Sequence, residues 1–219
     1  MNDDTVTIRI GHSPDPDDAF MFHALTNGAI DTGNRSYEHV LVDIDTLNRE
    51  AEIGSFEVSA VSIHSYPKIS DSYYLMNCGA SMGEGYGPIL ISREEMSVEE
   101  AKCTVIAVPG KSTSSYLALL LALGEVEVVE VPFDQILPGV LDGKYDSGVI
   151  IHEGQLTWSE EGASMVLDLG VWWNKETGLP LPLGGNIVRK DLGESMCALV
   201  CDDIKRSIEF SSENPKDAL

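Results

Sequence analysis

Apolar residues in this chain come in short runs, each followed by a stretch with helical spacing, and the alternation repeats. Val6-Thr7-Ile8-Arg9-Ile10 reads as a first strand, with a turn over Gly11–Pro16. Asp17 to Asn27 then reads as a helix with Phe20, Met21, Ala24 and Leu25 on its inner face. Tyr37–Val42 is a second strand and Asp45–Gly54 a second helix, opened by an aspartate and closed by glycine. Val58–Ile63, Tyr73–Cys78 and Gly87–Ser92 read as further strands. The charged stretch from Arg93 to Ala101 reads as a linker or short helix. The pattern then restarts, with strands at Thr104–Val108 and Val126–Val131 and helices at Ser112–Leu123 and Phe133–Leu141. Gly148–Ile151 and Met165–Leu169 are the last strands. Gly178 to Gly185, rich in proline and glycine, reads as a return crossing to the first half. From Leu192 onward Met196, Leu199, Val200, Ile204 and Ile208 fall at helical spacing.

This alternation predicts two α/β lobes with a ligand cleft between them. Lobe one is expected over 1–92, completed by 187–219 returning to it, and lobe two over 93–186. A new helical pattern begins at Pro215, so the chain is expected to be a truncated form of a longer protein.

Gly148-Val149-Ile150-Ile151 stands out because three β-branched residues in a row suit a strand buried on both faces. The run stops on His152, Glu153 and Gly154. Ligands of open α/β sheets bind just beyond the carboxyl ends of the strands, which puts His152 where chemistry usually happens. A histidine merely satisfied at a strand end fits the same spacing. Glu153 points the other way along a strand and is a poor partner for orienting that ring.

The 219 residues are 43% hydrophobic with a mean hydropathy of -0.03, the composition of a soluble globular protein with a sizeable core. The net charge of -22 is spread along the chain. Such a surface repels phosphate backbones and anionic lipid, so neither nucleic acid nor a membrane is an expected partner. A well-solvated acidic surface, as in salt-adapted proteins, accounts for it. The acidic start Met1-Asn2-Asp3-Asp4 shows no basic region followed by an apolar stretch, and no apolar run approaches the roughly 18 residues of a membrane span. The expected compartment is cytoplasmic. Cys78, Cys103, Cys197 and Cys201 are scattered without CxxC spacing. Cys197 and Cys201 share a helix face, but two thiols make an incomplete metal site, and buried free thiols are expected. Asp15, Asp17 and Asp18 suit the positive end of a helix dipole better than a metal.

Several motifs fail on inspection. Gly83 to Pro88 has the spacing GxGxGP with Ser81 upstream and joins two strands, so it is not a dinucleotide fingerprint. Gly110-Lys111-Ser112-Thr113 imitates the end of a P-loop, but Val105 stands where its first glycine belongs. What remains is a helix start bearing Ser112, Thr113, Ser114 and Ser115, suited to a carboxylate or a sugar hydroxyl; N-capping explains one or two of the four. HExxH fails because Leu156 stands where the second histidine belongs, and no GxSxG is present. Acids are too many to single out a glycosidase pair. Of the adjacent Trp172 and Trp173, one can pack while the other lines a cleft. A lone histidine with helix-end donors can run proton abstraction, worth about 10²–10⁴-fold.

Ser13-Pro14-Asp15-Pro16-Asp17-Asp18 with Phe20 and Phe22, Asp45-Thr46-Leu47-Asn48, Gly83–Pro88, Val108-Pro109-Gly110, Ile136-Leu137-Pro138, Ile151-His152-Glu153, Leu169–Trp173 and Thr177–Gly184 together resemble the 1,4-dihydroxy-6-naphthoate synthase family of the futalosine route to menaquinone. The resemblance runs along essentially the whole chain. It implies a two-lobed fold like the type II periplasmic binding proteins, and a cytoplasmic carbon-carbon lyase that converts cyclic dehypoxanthinylfutalosine to 1,4-dihydroxy-6-naphthoate and dihydroxyacetone. It implies a small carboxylate substrate and no metal or redox cofactor. His152 matches the family's general base. Ala60, Val61 and Ser62 match its substrate-binding stretch, Ser114 and Ser115 its hydroxyl-bearing helix start, and Asn48 a cleft-lining asparagine. The chain departs from the family's usual Ser-Pro-Cys-Pro-Asn-Asp at Asp15 and Asp17, and has Ser114 where threonine is common. It also stops short of the family's usual carboxyl-terminal helices. Chorismate dehydratase, which shares fold and pathway, does not resemble the chain around Ile151-His152-Glu153. A non-catalytic carboxylate-binding protein of the same fold is the other alternative.

Overall fold

The structure is a computed structural model that describes residues 5–152 and 154–218. The chain divides into two compact units, one running up to Ser81 and resuming at Gly184, the other Met82–Leu183.

In the first unit the elements are β1 (Val6–His12), α1 (Pro16–Thr26), β2 (Arg35–Leu41), α2 (Ile44–Glu52), β3 (Val58–Ser62), α3 (Tyr66–Ile69) and β4 (Tyr73–Gly83). The second unit continues with β5 (Ile89–Ser92), α4 (Val98–Ala101), β6 (Ile106–Val108), α5 (Ser114–Leu123), β7 (Val128–Glu130), α6 (Phe133–Leu141), β8 (Ser147–Ile150), α7 (Gly154–Thr157), β9 (Ser164–Asp168) and α8 (Leu169–Thr177). β10 (Leu181–Arg189) leads back, and α9 (Glu194–Glu213) and α10 (Pro215–Ala218) finish the first unit.

The two sheets share one plan. The first has the order β2-β1-β3-β10-β4, in which β1 pairs parallel with β2 and β3, and β10 runs antiparallel to β3. The second has the order β7-β6-β8-β5-β9, in which β6 pairs parallel with β7 and β8, and β5 runs antiparallel to β8 and β9. Three parallel strands therefore point their carboxyl ends to one edge of each sheet. Ile8, Ile10, Phe22, Val58, Val200 and Ile204 pack one core of the first unit, so α1 and α9 cover one face of its sheet. In the second unit Leu90, Val108, Leu119, Val149 and Leu169 form one core, and Ile91, Ala107, Ile136, Val140 and Ile150 the other. Among the described residues no helix is long and apolar enough to cross a membrane.

Several expectations shift. β5 pairs with β8 and β9, so residues 89–92 belong to the second sheet rather than to lobe one; the units divide at Ser81/Met82, inside β4, and the first resumes at Gly184, inside β10. α2 starts at Ile44, because Asp43 rather than Asp45 accepts the Thr46 amide at 3.0 Å. Phe22, not Phe20, is the buried aromatic of α1. Gly11 and His12 extend β1 where a turn was expected. The segment read as a return crossing is itself a strand, β10, whose Gly184, Gly185 and Asn186 pair with Ser62, Val61 and Ala60. The adjacent tryptophans lie on α8, a helix capped by Asp168 at Val171 N and closed by Gly178 at φ +71°. Trp173 packs against the core and donates from Nε1 to the Pro180 carbonyl at 3.1 Å.

Candidate functional site

The residues singled out by sequence fall into two groups, one on each unit. On the first unit β1 and β3 run parallel, with Ile10 beside Val58 and Gly11 beside Ser59, so His12 and Ser62 end at the same edge. Asn48, on α2, is fully buried and doubly joined to Ser62. Its Nδ2 donates to Ser62 Oγ at 3.0 Å, and its Oδ1 accepts the Ser62 amide at 2.8 Å. Ala60 packs against Leu47 and Phe56, and Val61 against Ala51, Ile69, Tyr73 and Ile187. Both side chains are spent on cores, so what this stretch can offer a ligand is main chain and the Ser62 end.

On the second unit β6 and β8 run parallel, Ala107 beside Gly148, which brings the α5 start and the residues after β8 to one edge. Thr113 is the N-cap of α5: its Oγ1 accepts the Tyr116 amide at 3.3 Å and donates to the Gly110 carbonyl at 2.7 Å. Ser115 Oγ lies 2.8 Å from Thr113 Oγ1, and Ser114 Oγ donates to the Leu183 carbonyl at 2.6 Å. Both serines are buried. The Thr113 and Ser115 hydroxyls therefore organise the β6–α5 turn, while that of Ser114 ties the helix start to β10.

His152 follows β8, which is buried along its whole length. It is half-buried, and its ring stands edge-on to Phe133 at 4.9 Å between centroids, 73° between planes. Among the described residues it is the only non-glycine in the left-handed region, at φ +57°. That conformation costs a side-chain-bearing residue energy, and such strain gathers at functional positions. Glu153, expected to point away from the ring, lies outside the described residues.

A further cluster on the first unit was not visible in the sequence. His12 is buried at the end of β1, with Nδ1 2.9 Å from the Ser13 carbonyl and Nε2 3.0 Å from His39 Nδ1. A carbonyl only accepts, so His12 Nδ1 carries the hydrogen and Nε2 accepts from His39. Burial lowers the pKa of His12, and burial together with His12 lowers that of His39 to about 4. Asp18 Oδ2 accepts the Ser13 amide at 2.7 Å, and Ser13 Oγ lies 2.9 Å from Asp18 Oδ2 and 2.8 Å from Asp15 Oδ2. Burial pushes Asp18 up to about 6 against the pull of the Ser13 hydrogen bonds. The sequence offered little signal for it, because β1 alternates buried Ile8 and Ile10 with exposed Thr7 and Arg9 and lacks the run of β-branched residues that precedes His152. No three metal-ligating side chains converge among the described residues, and Asp18 of the aspartate trio is engaged by Ser13.

Two α/β units, each with three parallel strands and antiparallel additions, define a two-lobed fold like that of the type II periplasmic binding proteins. The alkanesulfonate-binding protein from Xanthomonas axonopodis pv. citri, bound to MOPS, superposes with a TM-score of 0.73 at 13% identity, over 97% of this chain and 76% of that one. At that identity the likeness concerns the fold alone. The family model described as menaquinone biosynthesis matches residues 8–219, and the chain belongs to that family. A relative in Thermus thermophilus, named 1,4-dihydroxy-6-naphthoate synthase, is 38% identical over 212 residues, 97% of this chain and 77% of that protein. A crystal structure of a protein from Archaeoglobus fulgidus matches with a TM-score of 0.90 at 45% identity, covering 97% of this chain and 79% of that one.

Proposed function

We propose that the chain is a 1,4-dihydroxy-6-naphthoate synthase, a cytoplasmic carbon-carbon lyase that releases dihydroxyacetone from cyclic dehypoxanthinylfutalosine. The observation that carries the assignment to particular residues is His152, held in a strained conformation just past a fully buried strand. In this reading His152 is the general base that removes a substrate proton, and the loss of that proton drives cleavage of the carbon-carbon bond. The start of α5, with Ser114 and Ser115, binds the substrate carboxylate through amide donors and hydroxyls. Asn48 fixes Ser62, and Ala60, Val61 and Ser62 supply main-chain contacts, since the first two side chains are buried in cores. The name of the Thermus relative supports this reading over a chorismate dehydratase, and the family membership supports it over a simple binding protein.

The test is incubation with cyclic dehypoxanthinylfutalosine, following naphthoate formation for the parent and for His152→Ala. Turnover by the parent and its loss in the variant are expected. Undiminished turnover by the variant would remove His152 from the chemistry, and tight binding without turnover by the parent would leave a binding protein.

A further inference from the structure

Cys78 lies on β4, an edge strand of the first sheet, and Cys201 on α9, 123 residues later. Their sulfurs are 3.7 Å apart, and both residues are half-buried. Cys201 Sγ also reaches Asn77 Oδ1 at 3.3 Å, whereas Cys197, one helical turn earlier, turns its thiol to the Arg189 carbonyl at 3.3 Å. The helical spacing that pairs Cys197 with Cys201 in the sequence is thus overruled by a contact across the unit. We propose that Cys78 and Cys201 are a thiol-modification site that closes into a disulfide with a small-molecule disulfide such as oxidised glutathione.

The sulfurs must close from 3.7 Å to the roughly 2.05 Å of a disulfide bond. Burial and the neighbouring Cys201 push the Cys78 thiol up, and that thiol lies 3.7 Å from the Cys201 carbonyl to which it donates, so Cys78 waits protonated while Cys201 meets the external disulfide. The Cys201 thiolate breaks the external disulfide, forms a mixed disulfide and releases one small thiolate. Cys78 then attacks the Cys201 sulfur, expels the second small thiol, and its proton leaves on that product. Two protein thiols are oxidised and one external disulfide is reduced to two thiols. The product bond ties α9 to the edge of the sheet and closes a loop of more than a hundred residues, a constraint that falls mainly on the unfolded chain.

Cys103 is exposed and would react by itself, so the experiment uses a Cys103→Ser protein treated with oxidised glutathione. Mass spectrometry should show loss of two hydrogens with no glutathione retained, and a digest should give one peptide pair joined between Cys78 and Cys201. The melting temperature should rise by about 5 °C or more and fall back on reduction. A Cys78→Ser version should instead keep glutathione on Cys201. Glutathione retained on Cys201 while Cys78 is present, a bond between Cys197 and Cys201, or no reaction at all would each overturn the proposal.

Discussion

His12 closes β1 in the first unit and His152 follows β8 in the second, each after strand residues that are buried, yet their surroundings differ in kind. His12 has both ring nitrogens committed inside the unit, one to a carbonyl and one to His39, and burial holds the pair neutral. Such a ring can take up a proton only by reversing the donor and acceptor roles of the His12–His39 pair inside a buried site, which burial opposes. His152 is half-buried, stands edge-on to one aromatic ring, and holds a backbone conformation that its neighbours must enforce. A strand end at the functional edge of a sheet is therefore not enough to make a histidine a base. The nitrogens of His12 serve the fold of its own unit, and that alone separates it from a ring proposed to act on a substrate.

The sharpest way to break this contrast is to delete both rings. His152→Ala is expected to lower turnover by about 10²-fold or more, with little change in melting temperature. His12→Ala should do the opposite. It leaves the Ser13 carbonyl and the His39 Nδ1–H without their partner, a loss of about 1–3 kcal/mol on urea unfolding, while the folded fraction keeps its turnover. If His12→Ala abolished turnover in folded protein, the division of roles would be wrong.

Two glycines sharpen the comparison further. A Cβ on Gly148 would lie 2.5 Å from Ile136 Cγ2, and one on Gly11 would lie 2.7 Å from Phe56 Cδ2 and 2.8 Å from Leu47 Cδ2. Both Gly→Ala changes overpack a core and should each cost about 1–3 kcal/mol, read by the same unfolding curves. Gly148→Ala displaces the strand that leads to His152 and should slow turnover at saturating substrate, whereas Gly11→Ala presses on Leu47 and Phe56, against which Ala60 packs, and should show mainly as a raised KM.

The smallest effect is in pH. His39 binds its proton at about 4 in the folded chain against 6.5 as the ordinary value, and His12 is shifted the same way. As pH falls below 6.5 the unfolded chain takes up protons first, so the stability from the neutral pair is complete above 6.5 and is lost on the way to about 4. Asp18 opposes this. Its folded value of about 6 lies above the ordinary 3.8, so between those values acid favours the folded chain. His39→Asn should therefore melt with less sensitivity to acid than the parent across this range. An unchanged profile would show that the pair is not what is kept neutral.

Much of this fold is legible along the chain, and the failures share a cause. α6 occupies Phe133–Leu141 as the spacing predicts, since an amphipathic helix is encoded by residues three and four apart. β10 was hidden because Pro182 and the glycines beside it argue against a strand, and the pairing with β3 overrides that preference. α8 was hidden although Asp168 and Gly178 are ordinary helix boundaries, because two tryptophans in a row obscured its period. Asn48 is legible as a candidate, but its two hydrogen bonds to Ser62 join residues fourteen apart on different elements. The cap of α5 fell on Thr113, leaving Ser114 and Ser115 with other partners than helix-end spacing alone suggests.

Most of the strands and helices, the two-lobed α/β class and the histidine past a buried strand follow from the sequence, because the patterns that mark them depend on neighbours within a few residues. The membership of β5 in the second sheet, the Cys78–Cys201 contact and the His12–His39 bond do not. Each joins residues far apart along the chain, and hydrophobic periodicity carries no information about which distant element a side chain will meet. His12, set against His39 and Phe22, and His152, set edge-on to Phe133, thus acquire their surroundings only in the folded chain.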